Sequence, residues 1–265
     1  MEKPQGRYVY AISYSGPSPD LSGLPGVAVI GADPAPVEVH AEGPVAAIVS
    51  PFAGRQVRPE RRNLAAHNGV LRTLMTARVP FLPVAFGCVA PSRNKLSRML
   101  DAARDEVLAD LERLAGRVEM GLKVVWDVPN IFDYFVFHYP ELAELRDRLQ
   151  RKRGGPTRDD QIQLGRTFET LLQETRARHV ASVQQALRDC VREFRDDPPR
   201  DEKMVMNLSC LVDREGEKEF AQSVIHAAAL FDDHYTFDYN GPWPPYHFVA
   251  ATLEEPVAET VRGRE

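Results

Sequence analysis

The residues able to do chemistry are few, and each can be weighed against its own neighbourhood. His67 lies between Leu64 and Leu71 on one face of a helical pattern. A histidine can serve as a general base near neutral pH, but only with an acid or nucleophile presented to it. Nothing near His67 in sequence supplies one, so a packed histidine with hydrogen-bonded ring nitrogens is the favoured reading. Cys88, in the run FGCV, would be a nucleophile only as a thiolate. An apolar run raises a thiol's pKa, and no Cys-His signature is present, which favours a structural role. Asp232, Asp233 and His234 form the one tight acid-histidine cluster. A metal would need further ligands at workable spacing, and no His-x3-His or Cys pair exists, so the cluster reads as a polar helix-to-strand turn. Asp213, Glu215, Glu217 and Glu219 have the density of a calcium loop, but Gly216 is misplaced and no EF-hand pattern closes. They read as a solvated helix start, where acidic residues are favoured. Arg55, Arg58, Arg61 and Arg62 could steer an anion, though an exposed loop edge is the simpler reading. Residues 154–156 are a Gly-Gly-Pro turn, and neither GxGxxG nor a P-loop occurs. The expectation is therefore no catalytic residue, no cofactor site and no metal site.

The segment NGPWPPYHF at 240–248 has the most unusual composition. Its prolines hold Trp243, Tyr246 and Phe248 with little entropy left to lose. Trp243, Pro244, Tyr246 and Phe248 are the candidate partner-binding residues. The competing reading is a clamp closing the core of the second domain, and the balance leans that way.

The elements that must position these residues follow from periodicity. Residues 7–14 alternate, with Tyr8, Tyr10, Ile12 and Tyr14 on one face, and read as a strand. A Gly, Pro and Ser-rich loop over 15–25 precedes short β-like runs at 27–30, 37–40 and 45–50. Leu64, His67, Leu71, Leu74 and Met75 mark a helix over 60–77, which Pro80 and Pro83 convert into extended chain over 81–89. Ser92 N-caps a second helix running to about Ala115, ended by Gly116. Val118, Met120, Leu122, Val124 and Trp126 share one face of a strand over 118–127. Residues 129–149 read as helix broken at Tyr139-Pro140, and residues 158–194 as one long helix ending at Phe194. A strand over 203–212, a helix over 215–231 with Phe220, Val224 and Leu230 inward, and a strand over 234–240 complete the pattern. The tail from Glu254 is charged and expected to fray.

The chain has 265 residues, 43% of them hydrophobic and 27% charged, enough for a sizeable core and one or two domains. A formal net charge of −5 argues against nucleic acid as the main partner. Cys88, Cys190 and Cys210 lie far apart in apolar settings, as buried free thiols of a reducing, cytoplasmic compartment would. No run reads as a signal peptide or membrane span, so no membrane partner is expected. Asn207-Leu208-Ser209 matches a glycosylation sequon but lies inside a strand pattern. Long helices between strands with one apolar face predict α+β architecture. The expected domains are residues 1–116 and residues 117–265, the second on a ferredoxin-like plan with helices on one face of a sheet.

Four blocks, in order, carry a resemblance: RYVYAI near the start, NLAAHNGVLRTLM with PFLPVAFGCV, GRVEMGLKVVWD at 116–127, and MVMNLSCLV at 204–212 leading to YTFDYNGPWPPYHFV at 235–249. Together they resemble the gas vesicle protein F/L family (GvpF/GvpL) over nearly the whole chain. The resemblance implies two α+β domains, the second a modified ferredoxin-like fold. It implies an accessory role in gas vesicle assembly, binding the small hydrophobic shell protein and possible further accessory proteins, with placement in or on the vesicle. It brings no enzymatic activity. A ligand-binding regulatory module, or an enzyme using His67, are the alternatives.

Overall fold

The computed structural model describes residues 6–16, 20, 21, 23–27 and 34–253. Residues 28–30 of the strand expected over 27–30 and the charged tail from Glu254 lie outside the described residues, as does part of the loop over 15–25. The chain divides into two units, one of Met1–Val118 with Trp243–Glu265 and one of Glu119–Pro242.

In the first unit, β1 (Gly6–Tyr14), β2 (Glu38–Glu42), β3 (Val45–Phe52), β4 (Phe81–Pro83) and β5 (Val89–Ala90) form an antiparallel sheet in the order β2-β3-β1-β4, with β5 also on β1. β1 is thus bonded on both edges, and residues 8 to 12 are buried throughout. The pairing of β1 with β3 shifts between Val9 and Ala11, a bulge at Tyr10. α1 (Arg61–Thr76) packs on β1, and its buried residues are Asn63, His67, Val70, Leu71 and Leu74. That stripe is rotated from the one the apolar residues predict, so Leu64 is exposed. The helix expected from Ser92 to Ala115 breaks at Ala103 into α2 (Arg93–Ala102) and α3 (Arg104–Leu114), with Ser92 Oγ accepting from Lys95 N at 3.2 Å. Gly116 then takes φ +70, a left-handed conformation suited to glycine after a helix end.

The second unit is built from β6 (Arg117–Trp126), α4 (Ile131–His138), α5 (Pro140–Gln150), α6 (Arg158–Leu187), β7 (Glu193–Asp196), β8 (Met204–Asp213), α7 (Glu217–Ala228) and β9 (Tyr235–Trp243). Its sheet has the order β7-β8-β6-β9, so the two strands expected to share a sheet are neighbours. Trp126 N donates to Lys203 O at one end of β6, and Ser209 Oγ donates to Glu119 Oε1 near the other, which makes β6 and β8 antiparallel. The architecture is a mixed one of helices and antiparallel sheet. Gly241 has φ +126, and a Cβ there would stand 2.7 Å from Met120 Sδ and 2.9 Å from Glu119 O, so only glycine lets β9 lie this close to β6.

Four expectations need correction. The long helix stops at Leu187, and Phe194 belongs to β7, where Glu193–Asp196 pair with β8. Leu230 lies beyond the end of α7 and is exposed, because the helix closes at Ala228. Cys88 and Cys190 are only half-buried, while Cys210 is buried. The segment from Trp243 onward groups with the first unit instead of closing the second.

Candidate functional site

The returning segment meets the first unit at a histidine. His67 is 2% exposed on the sheet side of α1. Its Nδ1 lies 2.8 Å from Tyr8 Oη and its Nε2 lies 3.0 Å from Tyr246 Oη. Gly87 N donates to Tyr8 Oη at 3.2 Å, which leaves the Tyr8 hydroxyl hydrogen for Nδ1. Nε2 then carries the imidazole hydrogen and donates to Tyr246. A neutral ring satisfies every group in this chain, and burial lowers the His67 pKa from 6.5 to about 4. The same burial pushes the Tyr8 phenol above its ordinary value. The rings of Tyr8 and Tyr10 meet edge-on with centroids 4.8 Å apart, and Phe86 meets His67 edge-on at 5.7 Å. Tyr10 Oη is fixed by Val27 N at 2.7 Å and Ser50 Oγ at 2.9 Å. The cluster is therefore closed: its polar atoms are spent on one another and on backbone.

A second clasp lies on α3. Asp110 sits in the apolar stripe of Val107, Leu111 and Leu114 and is itself buried. It accepts from Ala250 N at 2.6 Å and Ala251 N at 2.9 Å, and Arg113 pairs with it at 2.8 Å while also donating to Phe248 O. Burial alone would raise the Asp110 pKa. The Ala251 amide, Arg113 and the Ala250 amide outweigh it and hold the carboxyl below its usual range. Sequence reasoning missed this pair, although a carboxylate inside a helical apolar stripe was the available signal.

These contacts settle where the aromatic-proline segment goes. Phe248 is 0% exposed, Pro244 is buried and Tyr246 is half-buried against His67, while Trp243 is 51% exposed. Pro244, Tyr246 and Phe248 act as a clamp, and the core they close is that of the first unit. The other sequence-predicted groups are dispersed. Burial raises the Cys88 thiol, and Cys210 is pushed up to about 12 by the same cause. Asp232 Oδ1 accepts from His234 N at 2.9 Å and stands 3.1 Å from His234 Nδ1, which is a turn held by its own side chain. Asp213 pairs with Arg192 at 2.5 Å, and Glu217 and Glu219 occupy the first turn of α7. Arg62 pairs with Glu60 at 3.0 Å on the surface. Among the described residues no group of three or more His, Cys, Asp or Glu is arranged to hold a metal, and no helix is long and apolar enough to cross a membrane.

Residues 6–250 match the family model described as gas vesicle synthesis protein GvpL/GvpF. The chain belongs to the GvpL/GvpF family. Gas vesicle protein F of a Streptomyces species is 31% identical over 242 residues, covering 91% of this chain and 98% of that protein. Gas vesicle protein L of the same strain is 30% identical over 210 residues, 74% of this chain and 71% of the relative. The crystal structure of GvpF from Anabaena superposes with a TM-score of 0.80 at 24% identity, covering 94% of this chain and 99% of that one. GvpF from Microcystis aeruginosa gives 0.74 at 24% identity, with 92% and 98% covered. The fold is thus that of GvpF, and the protein is gas vesicle-associated. The matched span reaches Ala250, so the returning clamp lies inside the family region.

Proposed function

We propose that this GvpL/GvpF-family protein is an accessory assembly protein of gas vesicles that binds the small hydrophobic shell protein non-covalently and has no catalytic role. Family membership carries the reading. A shell subunit must hide a very apolar surface before it joins the wall, and an accessory protein with exposed apolar side chains can cover it in transit. The second unit presents such side chains: Phe137 is 84% exposed, Leu230 is 64% exposed, and Ile225 is exposed on α7. Against an enzyme stand His67, both of whose ring nitrogens are engaged, and Cys88, whose thiol burial raises.

The test is co-purification of tagged protein with co-expressed shell protein, together with deletion of the gene. Retention of the shell protein and loss or malformation of vesicles are expected. Normal vesicles in the deletion strain, with no shell protein retained, would overturn the reading.

A further inference from the structure

The sheet of the second unit ends at β9, which has β6 on one side and no strand among the described residues on the other. We propose that this edge pairs with β9 of a second copy of the chain, the two strands running antiparallel about a twofold axis at Phe237. The inference does not depend on the assembly reading above.

The backbone of the edge is open. Asp127 N donates to His234 O at 2.6 Å, and a Cβ on Gly121 would stand 2.8 Å from Asn240 Oδ1, so β9 runs antiparallel to β6 with Gly121 beside Asn240. Trp126 N is turned the other way, to Lys203 O on the β8 side. Along an antiparallel strand the backbone groups alternate between the two sides. Thr236 and Asp238 therefore bond towards β6, while the N–H and C=O of Phe237 and Tyr239 point outwards, as does the C=O of Tyr235. The Tyr235 N–H already meets Asp232 O at 3.3 Å.

The other margins are guarded. β7, at the far side of the same sheet, has four residues, and Glu193, Arg195 and Asp196 among them are charged. β2, at the margin of the first sheet, begins and ends with Glu38 and Glu42. β9 has nine residues, of which Asp238 alone is charged. Short charged edges resist pairing, and a long edge with little charge is a template for it.

Self-complementarity selects the occupant. With the axis at Phe237, Phe237 faces its own copy, Tyr235 faces Tyr239 and Thr236 faces Asp238. The Phe237 N–H reaches the opposite Phe237 C=O, and the Tyr239 N–H reaches the opposite Tyr235 C=O, each twice by symmetry. Aromatic rings then lie opposite aromatic rings, a favourable cross-strand pairing. They are held beforehand within one copy: Phe237 meets Phe231 with centroids 5.1 Å apart, and Tyr239, 43% exposed, meets Phe220 at 6.2 Å. Such preorganisation lowers the ordering cost of binding. On the other face the Thr236 hydroxyl can donate to the Asp238 carboxylate. An axis at Asp238 would set two carboxylates face to face, and one at Thr236 would set Tyr239 against Asp233. The same residues serve both copies, as a closed twofold contact requires.

The experiment is sedimentation equilibrium of the full chain. A paired edge this short buries little area, so the dimer is weak and is sought at concentrations up to about 0.5 mM. Thr236→Asp and Thr236→Lys change an exposed side chain, and circular dichroism checks the fold. Thr236→Asp places a carboxylate opposite Asp238 twice and should weaken the dimer about tenfold or more. Thr236→Lys should strengthen it several-fold, less so as salt rises. Tyr239→Pro removes an outward N–H and should abolish it. Wild type that stays monomeric at the highest concentration overturns the proposal. So does a dimer indifferent to both Thr236 variants. Weakening by Thr236→Lys as well as by Thr236→Asp overturns the axis at Phe237, since two Thr236 side chains would then face each other.

Discussion

Acid should loosen the first unit through His67. Its neutral ring accepts from Tyr8 and donates to Tyr246. Protonation turns Nδ1 into a donor facing the Tyr8 hydroxyl, which has no other acceptor among the described residues, and it places a charge in a buried aromatic cluster. The folded-state pKa of about 4 lies below the ordinary 6.5, so the folded protein binds fewer protons than the unfolded chain. The sign follows: this contribution is complete above pH 6.5 and is lost as pH falls towards 4. At about 1.4 kcal/mol per pH unit the full loss is about 3 kcal/mol, of which about 2 kcal/mol falls between pH 7 and pH 5. Burial also lowers His40 and His179, so the wild-type slope alone is not diagnostic. The informative comparison is wild type against His67→Gln, because glutamine can accept from one tyrosine and donate to the other without titrating. Urea unfolding at pH 7, 6 and 5, followed by aromatic fluorescence, should show the wild type losing about 2 kcal/mol more than His67→Gln over that interval. Equal losses would refute the assignment of a neutral, doubly bonded His67.

His67→Ala should cost about 1–3 kcal/mol at pH 7, because the buried Tyr8 hydroxyl and the half-buried Tyr246 hydroxyl each lose a hydrogen bond, and should abolish no turnover. Phe248→Ala should cost about 3–5 kcal/mol by melting temperature, whereas Trp243→Ala, at a half-exposed side chain, should cost clearly less; the reverse order would contradict the clamp. Asp110→Asn should release the segment from Val249 onward to limited proteolysis, and wild type should show the same release as acid protonates Asp110, since its folded pKa is depressed. Arg176 donates to the carbonyls of Met204, Asp201 and Glu202 from a buried position on α6, so Arg176→Ala should cost about 2–4 kcal/mol, read by chemical denaturation.

Periodicity recovered most elements because most have one buried side. The alternation of β6 and β8 placed Met120, Leu122, Met206 and Leu208 in the core, and Ser92 and Gly116 marked their helix boundaries. It failed where burial is not apolar. Asn63 is buried on α1, with its side chain donating to Arg58 O, while Leu64 is exposed, so the buried face of the helix is not the one that Leu64 implied. β7 was absorbed into a helix because EFRD has no apolar alternation; as the last strand in the sheet order it is defined by its pairing with β8.

The aromatic-proline segment was legible as a chemical device but not as to its target, since composition carries no address. The structure supplies one: His67 and Tyr246 meet across 179 positions of sequence. The first unit is interrupted by the whole of Glu119–Pro242 before the residues that close it are reached. Truncation after Asn240 would therefore remove Phe248 from a core, strip Asp110 of the amides of Ala250 and Ala251, and leave His67 Nε2 without its acceptor. Such a truncation tests folding of the first unit and says nothing about partner binding, even if shell binding disappears. Surface changes at Trp243 or Phe137 avoid that confusion. Trp243→Ala should lower the melting temperature less than Phe248→Ala and leave the protein folded, and if shell retention then falls several-fold, the exposed end of the segment joins the interface. Unchanged retention in the folded variant would confine the segment to its role as a clamp.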